Sequence, residues 1–198
     1  MKNLFIKQVA LVLMILIETT SCKKHLKTEP EIRTAVRYID LQHQPVSEYN
    51  ELNLDLDRNG QSDFLFRVHH VAYNNNAESR LEFSLYSTGS GKIAIDTTDE
   101  STLLLAKGVR ITPHDFSSFQ WLSANKTILM QKSTIDSKSK WTGGFISRPE
   151  SYLPVKVERD NKSYCGWIEM EADIKNDRMY LLRAAVALEA EKSILAGM

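Results

Sequence analysis

Apolar and polar residues alternate with a period of two along much of this chain. Leu52, Leu54 and Leu56 alternate with Glu51, Asn53 and Asp55. Phe64, Phe66 and Val68 alternate with Leu65, Arg67 and His69, and Leu81, Phe83 and Leu85 with Glu82, Ser84 and Tyr86. That period sends successive side chains to opposite faces of an extended backbone, so each run predicts a strand. Further strands are predicted around 35–39, at Ile93 and Ile95, and over 127–130, 153–157, 164–172 and 179–186. The clusters RNGQS, YNNNAES, STGSGK, DSKSK and DIKND separate these runs and carry the residues that turns require. Many short alternating strands joined by turns predict an all-β, mostly antiparallel single domain, a β-sandwich or jelly-roll-like fold. Polar outer positions predict sheets covered on one side. Residues 111–125 are less regular and read as a long connection. The C-terminal AAVALEAEKSILAG is open between two forms. Its alanines and glutamates favour a short helix, but it continues a strand pattern directly.

The N-terminus breaks the alternation. Lys2 and Lys7 make a basic start, Val9 to Ile17 is an unbroken apolar run, and Thr19, Thr20, Ser21 and Cys22 follow. A basic region, a short apolar core and small residues before a cut site predict a secretory signal peptide over 1–21. The run falls short of the roughly 18–20 residues that span a bilayer as a helix. The segment TTSC-KK resembles the lipobox of bacterial lipoproteins, in the looser bacteroidete-type form, with Thr19 where leucine is common. The resemblance implies that Cys22 carries acyl chains and tethers the mature chain to the bilayer. At about 0.8 kcal/mol per buried methylene, several chains anchor firmly. Residues 22–31, polar and containing Pro30, read as a tether, and 32–198 as the β-rich domain. Lys23 and Lys24 follow the cysteine where surface-export signals of this group are acidic, which favours the periplasmic face of the outer membrane.

Charge narrows the partners. Lys2, Lys7 and Glu18 leave with the leader, so 23 basic and 24 acidic residues remain in 177, and the chain lacks the basic bias of a nucleic-acid binder. Cys165, the one other cysteine, sits in the apolar pattern YCGWIEM and reads as a small buried hydrophobe.

The stretch DLDRNGQSDF, residues 55–64, carries the strongest chemical signal. Asp55, Asp57 and Asn59 offer oxygens at alternate positions, Gly60 permits a reversal, Gln61 adds a carbonyl, and Asp63 closes the set, as the hard-oxygen chemistry of Ca2+ requires. Phe66 stands where an EF-hand needs its bidentate glutamate, and the flanks read as strands, so an EF-hand is excluded. The stretch resembles the shorter calcium loops of β-rich exported modules. Asn59-Gly60 is also a strong two-residue hairpin signal. That turn would set the apolar faces of the flanking strands out of phase. A loop from Asp57 to Asp63 restores the phase by pairing Leu56 with Phe64 and Leu54 with Phe66.

Other candidates carry less. His69 and His70 are adjacent on a strand and face opposite sides. His114-Asp115, after Pro113, suits a catalytic dyad, and a turn or a helix start explains it as well. STGSGKI lacks the first glycine and the final Ser/Thr of a phosphate loop. Glu169 and Glu171 share a face with Trp167 and could suggest a glycosidase pair, but the same spacing describes an exposed strand face. Trp121, Trp141, Trp167, Tyr152 and Tyr164 suit either a carbohydrate platform or, for at least two tryptophans, the core. Asp96-Thr97-Thr98 resembles the short O-glycosylation acceptor of exported proteins in this group. Residues 152–173, YLPVKVERDNKSYCGWIEMEAD, resemble a hairpin of uncharacterised exported bacterial β-proteins that also carry an Asp/Asn/Gly segment upstream. The resemblance implies fold and location, not activity. The expectation is a membrane-anchored envelope lipoprotein, a calcium-stabilised binding or structural module with a glycan or envelope protein as partner. The alternative is an envelope glycosidase.

Overall fold

A computed structural model describes residues 34–73, 78–115, 119–148 and 150–198. The signal peptide, Cys22 and the tether lie outside the described residues. Residues 33–198 form one unit built from two antiparallel sheets. The larger sheet has six strands: β1 (Val36–Val46), β12 (Arg178–Ala187), β11 (Lys162–Asp173), β10 (Tyr152–Arg159), β5 (Gly91–Asp96) and β7 (Phe119–Leu122), in that spatial order. The second sheet has five: β2 (Leu52–Leu54), β3 (Phe64–Tyr73), β4 (Glu78–Ser87), β8 (Thr127–Ile135) and β9 (Lys138–Gly143). A two-stranded ribbon pairs β6 (Arg110–Ile111) with β13 (Ile194–Leu195). The one helix among the described residues is the single turn α1 (Gly144–Ser147). The fold is all-β and sandwich-like.

Alternation places the main core between the sheets. Phe64, Phe66, Phe83, Leu85 and Met130 of the smaller sheet meet Ile93, Val155, Ile168, Met170 and Leu181 of the larger one, all fully buried. The smaller sheet keeps a polar outer face, with Arg67, His69, Ser84 and Tyr86 opposite the core positions. The larger sheet departs from the expectation of one covered side. Its outer face carries a second apolar cluster of Cys165, Trp167, Ala185 and Ala187, covered by Leu105, Ile111, Ile194 and Ala196. Strands buried on both faces read as continuous apolar runs, and β10 is buried from Tyr152 through Val157.

That second cluster explains the C-terminus. The segment AAVALEAEKSILAG forms no helix. Ala184 and Val186 face the main core while Ala185 and Ala187 face the second cluster, so β12 continues to Ala187. Ile194 then pairs with Ile111 and closes over the outer face. Burial on two sides outweighs the intrinsic helix preference of alanine. The described residues among 111–125 hold β7 and part of β6, and the rest of those described are irregular. Tight reversals sit where left-handed backbone is tolerated: Asp136 and Ser137 join β8 to β9, and Asp160 and Asn161 join β10 to β11, all with positive φ.

Phe83 is fully buried whereas Tyr49 is 93% exposed. Phe83→Ala is expected to lower the unfolding free energy by about 3–5 kcal/mol. Tyr49→Ala should stay within about 0.5 kcal/mol. Urea denaturation of the two variants checks both.

Candidate functional site

Residues 55–63 form a loop between β2 and β3 that is held by its own polar side chains. Asp55 accepts from the backbone N–H groups of Asn59 (3.1 Å) and Gly60 (2.7 Å), Asp57 from Asn59 N–H (3.1 Å), and Asn59 Oδ1 from Gln61 N–H (2.7 Å). These are the local bonds that make Asp and Asn turn formers. Arg58 and Gly60 take positive φ of 60° and 88°. The two-residue Asn-Gly hairpin does not form.

The strands meet in phase, but not in the expected pairs. Leu54 lies opposite Phe64 and Leu52 opposite Phe66, so the loop begins two residues earlier than the Leu56–Phe64 pairing required. Leu56 still reaches the core from within the loop. It is fully buried and seats over Gly166, where a β-carbon would stand 3.1 Å from its Cδ2. An apolar plug in the loop thus gives the burial that an extra strand pair would have given.

Asp63 closes the loop. Its N–H donates to Leu54 O (2.9 Å), and its carboxylate accepts from Leu56 N–H (2.8 Å) and from the Ser90 hydroxyl (3.0 Å). Gly91 passes so close that a β-carbon there would lie 2.2 Å from Asp63 O. One carboxylate oxygen from each of Asp55, Asp57 and Asp63 lies within 4.8 Å of the others. Asp63 is 1% exposed and Asp57 8%. Burial pushes the Asp63 carboxyl above its ordinary range. The Leu56 and Ser90 hydrogen bonds pull it back, and the nearby Asp57 charge adds to the rise. A carboxyl whose folded pKa exceeds its unfolded pKa loses stability as pH rises through the folded value. A cation beside it would reverse that loss.

Asp57 is framed by two arginines. Arg37 donates to its backbone oxygen (2.8 Å), and Arg159, stacked on Tyr164, holds Nη1 3.7 Å from Oδ2. Oδ2 is buried and accepts no hydrogen bond among the described residues. A cavity of 30 Å³ between Arg37, Asp57, Arg159 and Tyr164 has room for a water. On the other side, Asn59, Gln61, Ser62 and Asp63 line an open cleft of 310 Å³, with Gly89, Ser90 and Glu158 opposite. Glu158 pairs with Lys92 (2.8 Å) and Lys156 (3.4 Å). The hydrogen bond from Lys92 holds its carboxyl below the usual range.

The structure thus brings Asp55, Asp57 and Asp63 together and turns Asn59 and Gln61 toward the cleft. Ser90 and Glu158 were not legible as cleft residues. STGSGK is a turn but not the hairpin turn its pattern suggests, since it passes from β4 in one sheet to β5 in the other, and its contact with Asp63 exists only in three dimensions. Glu158 carries no local signal.

The remaining candidates take structural roles. His69 Nε2 lies 2.6 Å from the Tyr86 hydroxyl, and burial with the Lys126 and Arg67 charges holds its pKa below the usual value. His70 lies 3.5 Å from Glu48. Asp115 accepts from Trp121 N–H. Glu169 is tied to Arg183 and to the Tyr152 hydroxyl, while Glu171 lies 3.7 Å from His43, so the two do not converge on a cleft. Trp121 and Trp167 are buried in the second cluster, and Trp141 packs on Phe83. Thr97 and Thr98 are exposed at the turn after β5.

No protein-family model matches the chain, and no curated protein or solved structure shows significant similarity to it.

Burial pushes the Cys165 thiol up to about 12. The thiolate is the reactive form. Cys165 in the folded domain is therefore expected to resist a maleimide at neutral pH and to label rapidly in denaturant. Labelling of the Cys22→Ala variant, followed by mass spectrometry, checks this.

Proposed function

We propose that this chain is an acylated envelope lipoprotein whose β-sandwich is a calcium-stabilised binding or structural module. The observation that carries the calcium reading is the meeting of three carboxylates in one loop, with Asp57 Oδ2 buried and accepting no hydrogen bond among the described residues. Oxygen donors suit Ca2+ and disfavour the softer transition metals. Asp55, Asp57 and Asp63 would supply carboxylates, Asn59 its amide oxygen and Gln61 its carbonyl. The expected affinity is that of extracellular modules, about 10⁻⁴–10⁻³ M. The bilayer is the partner of Cys22, with the periplasmic face of the outer membrane as the location.

The alternative, an envelope glycosidase, draws support from the cleft, where Asp63 and Glu158 have pKa values displaced in opposite directions. Against it, Glu158 is ion-paired to two lysines and both Asp63 oxygens already accept hydrogen bonds. Turnover of chromogenic glycosides, abolished by Glu158→Gln, would decide for the enzyme.

Calcium at tenfold excess over its dissociation constant should add about 1.4 kcal/mol. For a domain of this size that raises the melting temperature by about 3–6 °C relative to chelator. Asp57→Ala should abolish the increment. Equal melting temperatures with calcium and chelator in the unsubstituted protein would sink the reading.

Cys22→Ala should leave the exported chain without radiolabelled palmitate and move it to the aqueous phase of a detergent partition. Unchanged labelling would overturn the anchor.

A further inference from the structure

We propose that the cleft between the 55–63 loop, the 88–90 turn and Glu158 is the ligand site of this module, and that its ligand is a small neutral saccharide unit held through its hydroxyl groups. The inference rests on the binding-module reading and gives it a place and a ligand class.

Size comes first. At 310 Å³ the cleft stands at the lower end of small-molecule sites. The lining sets the chemistry. Asn59, Gln61, Ser62, Asp63, Ser90 and Glu158 all present hydrogen-bonding side chains, and no apolar side chain lines the cleft among the described residues. An apolar ligand would gain nothing there, since its affinity comes from removing apolar surface from water. A ligand that is itself polar over most of its surface keeps its hydrogen bonds.

Charge narrows the class further. The lining holds two carboxylates, one of them paired with lysines, and no cationic side chain among the described residues, so it offers phosphate, sulfate and carboxylate ligands no cationic partner. A cationic ligand is not required either. Glu158 is already paired with Lys92 and Lys156, and Asp63 already accepts from Leu56 N–H and Ser90. What remains available is mixed donor and acceptor capacity, above all the exposed side-chain amide of Gln61 and the NH2 group of Asn59, whose oxygen already accepts from Gln61 N–H. A hydroxyl group, at once donor and acceptor, is the matching partner.

The cleft is also held in shape before any ligand arrives. Thr88 N–H donates to Asp63 O (2.8 Å), the Thr88 hydroxyl to Ser62 O (2.7 Å), and Glu158 N–H to Ser90 O (3.2 Å). Walls from three chain segments are thus fixed to one another, which lowers the ordering cost of binding. Gly89 forms one lip with φ +54°, and a β-carbon there would meet Ser62 O at 3.2 Å. Its missing side chain keeps the mouth open.

Gly89 gives the test, because asparagine tolerates positive φ and would fill the cleft. The mature protein in detergent, with calcium, is titrated with methyl β-D-glucopyranoside, methyl α-D-mannopyranoside and glucose 6-phosphate while the side-chain amide resonances of Asn59 and Gln61 are followed. The neutral glycosides should give saturable shifts in the millimolar range, and the phosphorylated sugar at least tenfold weaker ones. Gly89→Asn and Gln61→Ala should each weaken glycoside binding at least tenfold while the calcium-dependent melting shift is retained. If Gly89→Asn unfolds, Gln61→Ala carries the test. Absence of saturable shifts with both glycosides, tighter binding of glucose 6-phosphate, or binding indifferent to both variants overturns the proposal. The calcium-dependent melting shift, read on the same samples, keeps the two readings apart. Its survival without glycoside binding removes the saccharide site alone, and its loss with glycoside binding intact removes the cation alone.

Discussion

Asp63 places a carboxylate, almost wholly buried, at one end of the sandwich, and three chain segments are organised around it. Its oxygens hold Leu56 N–H and the Ser90 hydroxyl, its N–H holds Leu54 O, and its own carbonyl receives Thr88 N–H. Burying a charge is costly unless it is hydrogen-bonded, so the loop and the 88–90 turn must keep their positions for Asp63 to stay where it is. Gly91 is part of the same constraint, because a larger residue could not pass beneath Asp63 O.

Loop and sandwich are coupled through Leu56 as well. A loop carrying three carboxylates would repel itself outward, yet Leu56 is pinned in the core above Gly166. Both oxygens of Asp55 and the Oδ1 of Asp57 accept from neighbouring N–H groups, and Arg37 and Arg159 stand beside Asp57. The loop is therefore ordered largely by its own bonds. The proposed cation would meet a loop that is already ordered, and the same network fixes one wall of the cleft beside it.

The larger sheet shows a second dependence. Trp167, flanked by Tyr152 at 5.2 Å between ring centroids, sits on the face away from the main core. It is buried because the chain returns after β5 and again after β12 to cover it. The two aromatic residues that might have formed an exposed platform instead hold the C-terminal segment in place, with Gly197 packed so tightly that a β-carbon would meet the Tyr152 ring at 2.4 Å.

Period-two patterns marked the strands and turns because face alternation is a local property of extended backbone. They also made the in-phase joining of β2 and β3 legible, and the Asp/Asn/Gly spacing marked the carboxylate loop. The exact register was not legible, since Leu56 can satisfy the same burial as a strand residue or as a loop plug. The helix left open at the C-terminus was settled by apolar cover, which depends on a face that only the folded sheet creates. Ser90 and Glu158 escaped notice for a similar reason. Each is an ordinary turn or strand residue by its neighbours in sequence, and each reaches the cleft because β5 and β10 pair beside the loop. Sequence by itself determined the all-β class and the clustering of carboxylates in one loop, because each depends on residues close together along the chain. The tertiary structure decided which faces are covered and which distant residues share the cleft, because those follow from contacts between segments far apart in sequence.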